Sequence, residues 1–516
     1  MKSCKIRMFL LMFASAGIVI SLAYAGDLLF AEIDKSKTTD KTLSEEEIFK
    51  EDTVTPSDKI KDDALSAAIE KKSLTFNGFL NSRTSVKYKR SSILRDIDLI
   101  DTSNFLSYFQ SNYQLDARLI KGIRGYVNVS ADYYPTGLLQ SSTQQSALQY
   151  PFLGTFSYLI NNNPNVPVSF LGIPAYFIKR DVLVLEKINA AFSINEIFLD
   201  ANIAKAVYFR VGKQVLKWGV GYLWTPIDLI NIEKKDILNW SQVRQGTYGL
   251  KMHIPFGTAA NIYSFVNFNK AKNLSDISMA NKLEVLFVYT EMALSVLLKK
   301  KNVPVYGFDF TSRVLSIDIH GEASVSYGDN NRRLSVFPWY LSGGTLGVPV
   351  DLLYYVTQFP GRTSIMDYRV HGKWIPQASF GFGRGFEVKD IKDRIRLDFE
   401  AFYNHAGYSR NVFEKDPYTV AYFLSHNLYT PNYYGKYYAG AFITISQMLV
   451  EELSAAINCI VNIQDQSSIV SGMLTYSPLY DLYLNLTVSG FIGKQNREYT
   501  AFGNYGTAEF SVKIVF

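Results

Sequence analysis

Long stretches of this chain alternate apolar and polar side chains with a period of two. Between Leu315 and Tyr327 every second residue is apolar or small, while the residues between them are Ser, Asp, His or Glu. Such a period predicts a β-strand whose two faces differ in polarity. The same separation recurs in 394–403 and 481–489. We expect Ile317 to face an apolar environment near the middle of a strand, and Asp318 to face water.

The pattern divides the chain after residue 72 into 18 strands. It is weakest between 282 and 311, so 16 strands is the alternative count. The predicted strands occupy 74–89, 107–121, 124–134, 187–203, 206–216, 244–256, 258–269, 282–290, 292–300, 304–311, 313–327, 372–385, 392–405, 433–448, 452–463, 467–477, 481–493 and 506–516.

Short and long connections between these strands alternate along the chain. Tight turns are predicted at 121–125, 204–206, 256–258, 311–313, 387–392 and 477–480. Long connections rich in Gly, Asn and Pro are predicted at 135–186, 217–243, 328–371, 406–432 and 494–505. Membrane barrels have short turns at one end and long loops at the other, and a bilayer tolerates no open sheet edge. The sequence therefore predicts an all-β fold, a transmembrane antiparallel up-and-down β-barrel over 73–516.

The last predicted strand ends on an aromatic residue. Phe510, Val512, Ile514 and Phe516 share one face of it. A closing strand that ends on Phe resembles the C-terminal signature of Gram-negative outer-membrane β-barrels. The resemblance implies that Phe516 is an assembly signal read by the barrel assembly machinery. It also implies a cell outer-membrane location, in contact with lipid and a lipopolysaccharide-type surface.

The N-terminal residues 1–25 have the layout of a secretory signal peptide. Three basic residues precede an apolar run over 8–22, and Ala23-Tyr24-Ala25 offers small residues at a cleavage site. Between 27 and 72 there are 13 acidic and 8 basic residues. We expect this acidic segment, 26–72, to form short helices or to be disordered in the periplasm, with a plug in the barrel as the alternative. After cleavage only Cys459 remains, so no intramolecular disulfide is expected.

Composition favours a membrane barrel over a helical membrane protein. Aromatic residues make up 15% of the chain, including 35 Tyr and 35 Phe. The best helical candidate, 283–298, is too short to span a bilayer and contains two glutamates. Tyrosines near strand ends are expected to form aromatic girdles at the membrane interfaces. They are Tyr133, Tyr134, Tyr403, Tyr433, Tyr434, Tyr476 and Tyr480.

The most distinctive local sequence, 212–228, joins Gly-Lys-Gln to Trp-Gly and then to an aromatic-Pro-x-Asp segment. It resembles a stretch of poorly characterised porin-like outer-membrane proteins, in which Arg is usual at the position of Lys213. This is the third predicted external connection, and by analogy with general porins we expect it to fold inward and narrow the pore. A Trp-anchored loop without a transport role is the alternative. The residues of the hypothetical constriction are Trp218, Trp224, Asp228, Arg210 and Lys213.

Ionisable residues recur on the polar faces of the predicted strands. A ring of one sign would select ions, but here both signs are interleaved, so we expect cross-strand charge pairs along a water-filled wall. A basic track for an anionic solute is the alternative. The expected lumen residues are Arg118, Lys251, His253, Asp318, His320, Glu322, Arg394, Arg396, Asp398 and Glu400.

Sequence motifs of catalysis are missing. No Gly-x-Ser-x-Gly, His-Glu-x-x-His or Gly-x-Gly-x-x-Gly pattern occurs. We therefore expect no enzyme activity, no cofactor or metal, and no nucleic-acid partner; no particular oligomeric state is indicated. The predicted function is a porin-like channel for passive diffusion of small hydrophilic solutes. The alternatives are a plugged barrel transporter for hydrophobic substrates and a surface adhesin or structural barrel that uses its long external loops.

Overall fold

The computed structural model describes residues 73–89, 105–120, 122–141, 185–204, 206–216, 218–230, 243–269, 271–300, 302–338, 363–415, 420, 423–424 and 428–516. The predicted signal peptide 1–25 and acidic segment 26–72 lie outside the described residues. No helix in the described ranges is long and apolar enough to cross a membrane.

Twenty β-strands account for nearly all the regular structure that is described. They are β1 (Ser73–Lys89), β2 (Phe105–Ile120), β3 (Ile123–Ser141), β4 (Leu185–Ile203), β5 (Val207–Gln214), β6 (Thr247–Phe256), β7 (Ala260–Asn267), β8 (Ser278–Phe287), β9 (Thr290–Lys299), β10 (Val305–Val314), β11 (Ile317–Tyr327), β12 (Arg333–Pro338), β13 (Thr363–Tyr368), β14 (Trp374–Val388), β15 (Ile391–Asn404), β16 (Tyr437–Ile445), β17 (Leu453–Asn462), β18 (Ser467–Leu479), β19 (Leu482–Ile492) and β20 (Asn504–Val515). A 3-10 turn, Leu274–Asp276, precedes β8.

Eighteen of these strands form one antiparallel sheet. Each strand from β1 to β10 pairs with the next, β11 pairs with β14, and the pairing continues in order to β20. Because β1 pairs with both β2 and β20, the sheet closes on itself without a free edge. Strands β12 and β13 form a separate two-stranded antiparallel sheet in the connection between β11 and β14. The predicted fold, an 18-stranded up-and-down barrel, is confirmed.

Some element boundaries differ from the sequence prediction. The region 282–311 contains β8, β9 and β10, so the count of 18 is correct and 16 is wrong. The turn predicted at 311–313 is wrong, because β10 continues to Val314 and the chain turns at Leu315 and Ser316, both with positive φ. The strand predicted from 433 begins only at Tyr437. The sequence pattern also did not predict the β12–β13 pair.

The barrel wall has an apolar outer face and a polar inner face. Phe399 on β15 faces outward and is 40% exposed, whereas the next residue, Glu400, faces the lumen and is 3% exposed. Ile317 lies on the outward face of β11, as expected, and Asp318 lies on the lumen face. However, Ile317 is the first residue of β11, so it sits at the end of the wall and not at its middle.

Four of the seven tyrosines predicted to form aromatic girdles lie on the outer wall. Tyr403, Tyr476 and Tyr480 lie on the outer wall near strand ends, whereas Tyr133 lies on the outer wall in the middle of β3. The prediction is wrong for Tyr134, Tyr433 and Tyr434. Tyr134 is buried on the lumen side against Tyr108, and the other two belong to the packed loop before β16. Proximity to a strand end did not reveal which face of the wall a tyrosine occupies.

The two ends of the barrel differ in the length of their connections. The turns after β2, β4, β6, β8, β10, β14 and β18 are short, and β1 begins at the same end as these turns. Phe516 lies beside them, where its N–H and C=O exchange hydrogen bonds of 2.9 and 2.7 Å with Gly78 of β1. Its ring packs against Phe76 at 5.8 Å between centroids. The last residue of the chain therefore takes part in closing the sheet.

Candidate functional site

Part of the connection between β5 and β6 folds into the barrel. We call residues 218–230 the lumen loop. The chain leaves the wall at Gln214 on β5 and reaches β15 and β16, which lie eight and nine strands away around the 18-stranded ring. No two strands of such a ring can be more than nine apart, so the lumen loop crosses the full width of the lumen.

Glu400 on β15 holds the tip of the lumen loop. Its carboxylate accepts hydrogen bonds from three consecutive backbone N–H groups, those of Tyr222 at 2.9 Å, Leu223 at 3.1 Å and Trp224 at 2.9 Å. Hydrogen bonds to a charged acceptor are roughly twice as strong as neutral ones. His320 approaches from β11, with Nε2 3.5 Å from the same carboxylate and its ring edge-to-face with Tyr222. A buried carboxylate thus supplies the acceptors that these loop amides need.

A second buried carboxylate, Glu322 on β11, binds both ends of the same turn. It accepts the N–H of Gly221 at 2.6 Å and that of Ile227 at 3.4 Å. A Cβ atom at Gly219 would collide with this carboxylate, and one at Gly221 would collide with the carbonyl oxygen of Trp224. Glycine at these two positions therefore allows the backbone to approach the wall closely.

Trp224 is a fixed anchor on the far side of the lumen. The indole is fully buried, stacks on Phe402 at 5.6 Å and contacts Tyr438 at 5.8 Å. Its Nε1–H donates to the carbonyl oxygen of Asn432 at 2.8 Å, and its own carbonyl accepts from Ser379 Oγ at 3.1 Å. Both the apolar ring and the polar groups of this residue are satisfied, as a buried tryptophan requires.

Trp218 anchors the near side of the lumen loop. It is buried in an apolar cluster that includes Ile227 and Ile230 of the loop, Phe265 of β7 and Ala280 of β8. The loop is therefore held by a tryptophan on each side of the barrel.

The charged residues of the predicted constriction are not all brought together. Asp228 is buried within the lumen loop, 3.5 Å from Arg244. Arg210 lies on the lumen wall and pairs with Asp200 on β4 at 2.6 Å. Asp228 is thus placed inside the loop and not on a water-exposed surface.

Lys213 lies on the opposite face of β5 from Arg210. Its Nζ donates to the carbonyl oxygen of Ile194 at 2.6 Å and lies 5.9 Å from the ring of Tyr248, an exposed residue of β6. The structure therefore places Lys213 on the outer wall and apart from Asp228. The expectation that Lys213 lies with Arg210 at a constriction is corrected here, because residues three apart on a strand face opposite sides.

Charged side chains of the lumen wall pair across neighbouring strands. Arg124 of β3 bridges Asp116 of β2 at 2.8 Å and Asp200 of β4 at 3.3 Å, and Asp200 continues the chain to Arg210 of β5. Cations and carboxylates alternate over these four strands. Each cation of this series therefore has a carboxylate partner.

The same arrangement recurs on the other side of the barrel. Asp318 lies 2.5 Å from Arg313 and 3.1 Å from Arg396, and Arg396 also binds Asp398 at 2.8 Å. Lys282 of β8 lies between Glu284 at 3.3 Å and Asp309 at 3.5 Å.

The remaining predicted lumen residues have other surroundings. Arg118 shares the lumen face of β2 with Asp116. Lys251 Nζ lies 5.3 Å above the ring of Tyr263, on which His253 stacks at 4.4 Å. Arg394 donates to the carbonyl oxygen of Gln447 at 2.9 Å, in the turn between β16 and β17. Within the described ranges, no group of His, Cys, Asp and Glu side chains could hold a metal ion.

Glu498, in the loop between β19 and β20, is a buried acid that the sequence did not single out. It accepts hydrogen bonds from the N–H of Asn432 at 2.9 Å, from Tyr438 OH at 2.8 Å and from Asn462 at 2.7 Å. Burial, followed by the charge of nearby Asp465, raises the pKa of Glu498 to about 8. The carbonyl oxygen of Asn432 also accepts the Nε1–H of Trp224, so Asn432 links Glu498 to the lumen loop. Neither residue belongs to a recognisable motif.

Comparison with known proteins yields structural neighbours but no sequence relatives. No family model and no curated protein matches the chain. Acinetobacter baumannii OccAB1 is 9% identical with a TM-score of 0.46, covering 86% of this chain and 96% of that one. Pseudomonas aeruginosa OccK5 (OpdH) is 6% identical with a TM-score of 0.44, covering 86% and 98%. Salmonella typhi OmpF, in complex with daunomycin, is 8% identical with a TM-score of 0.37, covering 87% and 98%.

Proposed function

We propose that this protein is a porin-like channel of the cell outer membrane through which small hydrophilic solutes diffuse passively. The observation that carries the proposal is the lumen loop, which crosses a polar lumen and is anchored at both sides. A barrel of 18 strands is wide enough to enclose an aqueous channel. A loop held across it narrows the path and sets the size of solute that passes.

The outer wall supports a membrane location. Large apolar side chains on the outward faces are exposed around the barrel, among them Phe192, Leu294, Phe380 and Val488. A soluble protein would bury such a surface, whereas hydrocarbon solvates it. The closed sheet leaves no unpaired strand edge to the bilayer.

The lumen wall favours weak charge selectivity over a dedicated anion path. Arg124, Arg210 and Arg396 each have at least one carboxylate partner within 3.3 Å. Paired charges partly cancel at a distance, so neither sign of ion experiences a strong field. We therefore expect a reversal potential close to zero in a KCl gradient.

Single-channel recording in planar bilayers tests the proposal. Deleting residues 218–230 should raise the conductance, because the loop no longer crosses the lumen, while the barrel should still resist denaturation by detergent at room temperature. An unchanged conductance would show that the lumen loop is not the constriction. Absence of any steady current from correctly folded wild-type protein would contradict the channel itself.

A point variant tests the anchoring without removing the loop. Glu400→Gln replaces a charged acceptor of three amides, so hydrogen exchange at 222–224 should accelerate by roughly tenfold or more. Glu284→Gln is the matched control, since Glu284 faces the lumen but bonds Lys282 and Asn261. Equal exchange in both variants would contradict the role of Glu400.

A further inference from the structure

Two connections at the end of the barrel opposite the short turns pack together around Phe413. This ring is fully buried and contacts Phe423 at 5.8 Å, Tyr434 at 5.2 Å and Phe502 at 5.7 Å between centroids. Phe413, Phe423 and Tyr434 belong to the connection between β15 and β16, whereas Phe502 belongs to the connection between β19 and β20. We call these four residues the loop cluster. It joins the two connections into one packed body.

Two buried acids tie this body to the turn between β17 and β18. The N–H of Glu498 donates to Asp465 Oδ2 at 2.7 Å. The other oxygen of Asp465 accepts the N–H of Ser467 at 2.9 Å and its hydroxyl at 2.6 Å. Glu498 itself is fully buried, and its carboxylate binds groups from both neighbouring elements, as described above. Glu498 is therefore a central contact of the loops at this end.

Asn432 connects Glu498 to the lumen loop by hydrogen bonds. Its N–H donates to Glu498 at 2.9 Å, and its side-chain oxygen accepts the hydroxyl of Tyr499 at 2.8 Å. Its carbonyl oxygen accepts the indole N–H of Trp224 at 2.8 Å. The backbone of Asn432 is in the left-handed region, with φ of 62°, which Asn adopts more readily than most residues. A residue held at three polar groups can transmit a displacement of Glu498 to Trp224.

Tyr438 of β16 provides a second contact between Glu498 and Trp224. Its hydroxyl donates to Glu498 at 2.8 Å, and its ring lies 5.8 Å from the indole. The next loop residue, Thr225, donates its N–H to the hydroxyl of Tyr433 at 3.1 Å. The far anchor of the lumen loop therefore rests on the same loops that surround Glu498.

The charge of Glu498 is poorly tolerated in these surroundings. Burial, and then the charge of Asp465, raise the pKa of Glu498 to about 8. Burial also raises the pKa of Tyr434 and of Tyr499, so both hydroxyls stay protonated at neutral pH. The titratable and charged groups that surround the two acids are Tyr438 of β16, Tyr434 of the connection before β16, Asp465, and Tyr499 and Arg497 of the same connection as Glu498. Arg497 also binds Glu414 at 2.8 Å.

We propose that Glu498 is a positioning residue of the constriction: it holds Trp224 through Asn432, so that ionisation of Glu498 releases the far anchor of the lumen loop. The lumen loop is then more mobile in alkaline than in acidic solution. This inference rests on the proposed function, in which the lumen loop narrows the channel. The contacts themselves are independent of conduction.

Hydrogen exchange at 222–224 in the full chain tests the inference. The folded state binds the proton of Glu498 more tightly than an opened state does, so the stabilisation is complete below pH 4.5 and is lost as the pH rises towards 8. Exchange at 222–224, corrected for the intrinsic rate, should therefore be roughly tenfold faster at pH 8 than at pH 5. Glu498→Gln should show a smaller change. Glu322, Glu400 and His320 also face the lumen loop, but they are present in both proteins, so the difference isolates Glu498.

Trp224→Phe tests whether the effect passes through Asn432. Phenylalanine keeps an aromatic ring but has no N–H to donate to the carbonyl oxygen of Asn432. The pH dependence at 222–224 should fall to that of Glu498→Gln, whereas the pH dependence at 428–434 should persist. Asp276→Asn is the matched control, since Asp276 is an acid in the connection between β7 and β8 at the same end of the barrel. It should keep the wild-type pH dependence at both places.

Two outcomes would overturn the role of Glu498. One is an equal pH dependence at 222–224 in wild type and Glu498→Gln, and the other is a wild-type dependence there in Trp224→Phe. Either outcome in a protein that conducts would leave the channel standing. A folded wild type that shows the expected exchange but carries no current would contradict the channel and leave the positioning role of Glu498 intact.

Discussion

At the scale of single residues, the interior of this barrel depends on buried carboxylates that face backbone amides. Buried polar groups need hydrogen-bond partners, and Glu322 and Glu400 accept hydrogen bonds from the N–H groups of the lumen loop. The alternation of polar and apolar residues predicted that both face inward. It could not show that they bind a loop, because the partners lie about 100 and 180 residues away in the chain.

Glu498 leads to a prediction about pH. Its pKa in the folded protein is raised to about 8 from an ordinary value of 4.5. The folded state therefore holds this proton more tightly than the unfolded state, so the stabilisation is complete below pH 4.5 and is lost as the pH rises towards 8. Hydrogen exchange in 428–434, corrected for the intrinsic rate, should reveal less protection at pH 8 than at pH 5.

The variant Glu498→Gln provides the control for this dependence. Its neutral side chain cannot ionise, so the loss of protection with pH should be smaller. A remaining dependence is expected from Asp465, whose pKa is raised by its own burial. A pH profile identical to that of the wild type would show that Glu498 does not titrate in this range.

At the scale of elements, the strands were largely predictable and the loops were not. A strand such as β11 alternates apolar and polar residues over 11 residues. The alternation is needed because one face of the strand contacts lipid and the other contacts water. The sequence of the lumen loop has no such alternation. Its conformation depends on contacts with β11, β15 and the loop before β16. The sequence could suggest only that Trp218 and Trp224 would anchor it.

Lys213 illustrates the limit of motif-based inference. The hypothesis of a constriction grouped it with Arg210, yet the alternation of β5 places Lys213 on the outer wall. The strand geometry determines which face of the wall the Lys213 side chain occupies, because neighbouring residues of a strand point to opposite faces.

The distance of an outward-facing residue from the ends of its strand predicts how much a charged substitution there destabilises the barrel. Phe380 lies near the middle of β14 and is 50% exposed on the outer wall. Phe380→Arg should destabilise the barrel by about 2–4 kcal/mol, whereas Ile317→Arg at the end of β11 should cost about 0–1 kcal/mol. Denaturant unfolding in lipid vesicles measures both. Phe380→Leu controls for the loss of the ring, and equal costs for the two arginines would contradict the placement of the membrane.

At the scale of the whole molecule, the barrel is completed only when its first and last strands pair. Nothing in the local sequence of β1 indicates that its partner strand, β20, lies more than 400 residues later in the chain. The closing contact nevertheless has a residue-level requirement. At Gly78 a Cβ atom would collide with the carbonyl oxygen of Asn112 and with the ring of Phe516.

Gly78 therefore provides a test of closure. Gly78→Leu should reduce the fraction of protein that folds into the heat-modifiable barrel, because the side chain occupies the space where β20 meets β1. Gly472→Leu is the matched control: Gly472 also lies in a barrel strand, and a Cβ atom added there would meet no other atom within 4 Å, so the new side chain projects into open space. Electrophoresis of unheated and heated samples, after refolding into vesicles, measures the folded fraction. Equal yields of the two variants would show that the close contact between Gly78 and Phe516 does not limit closure of the barrel.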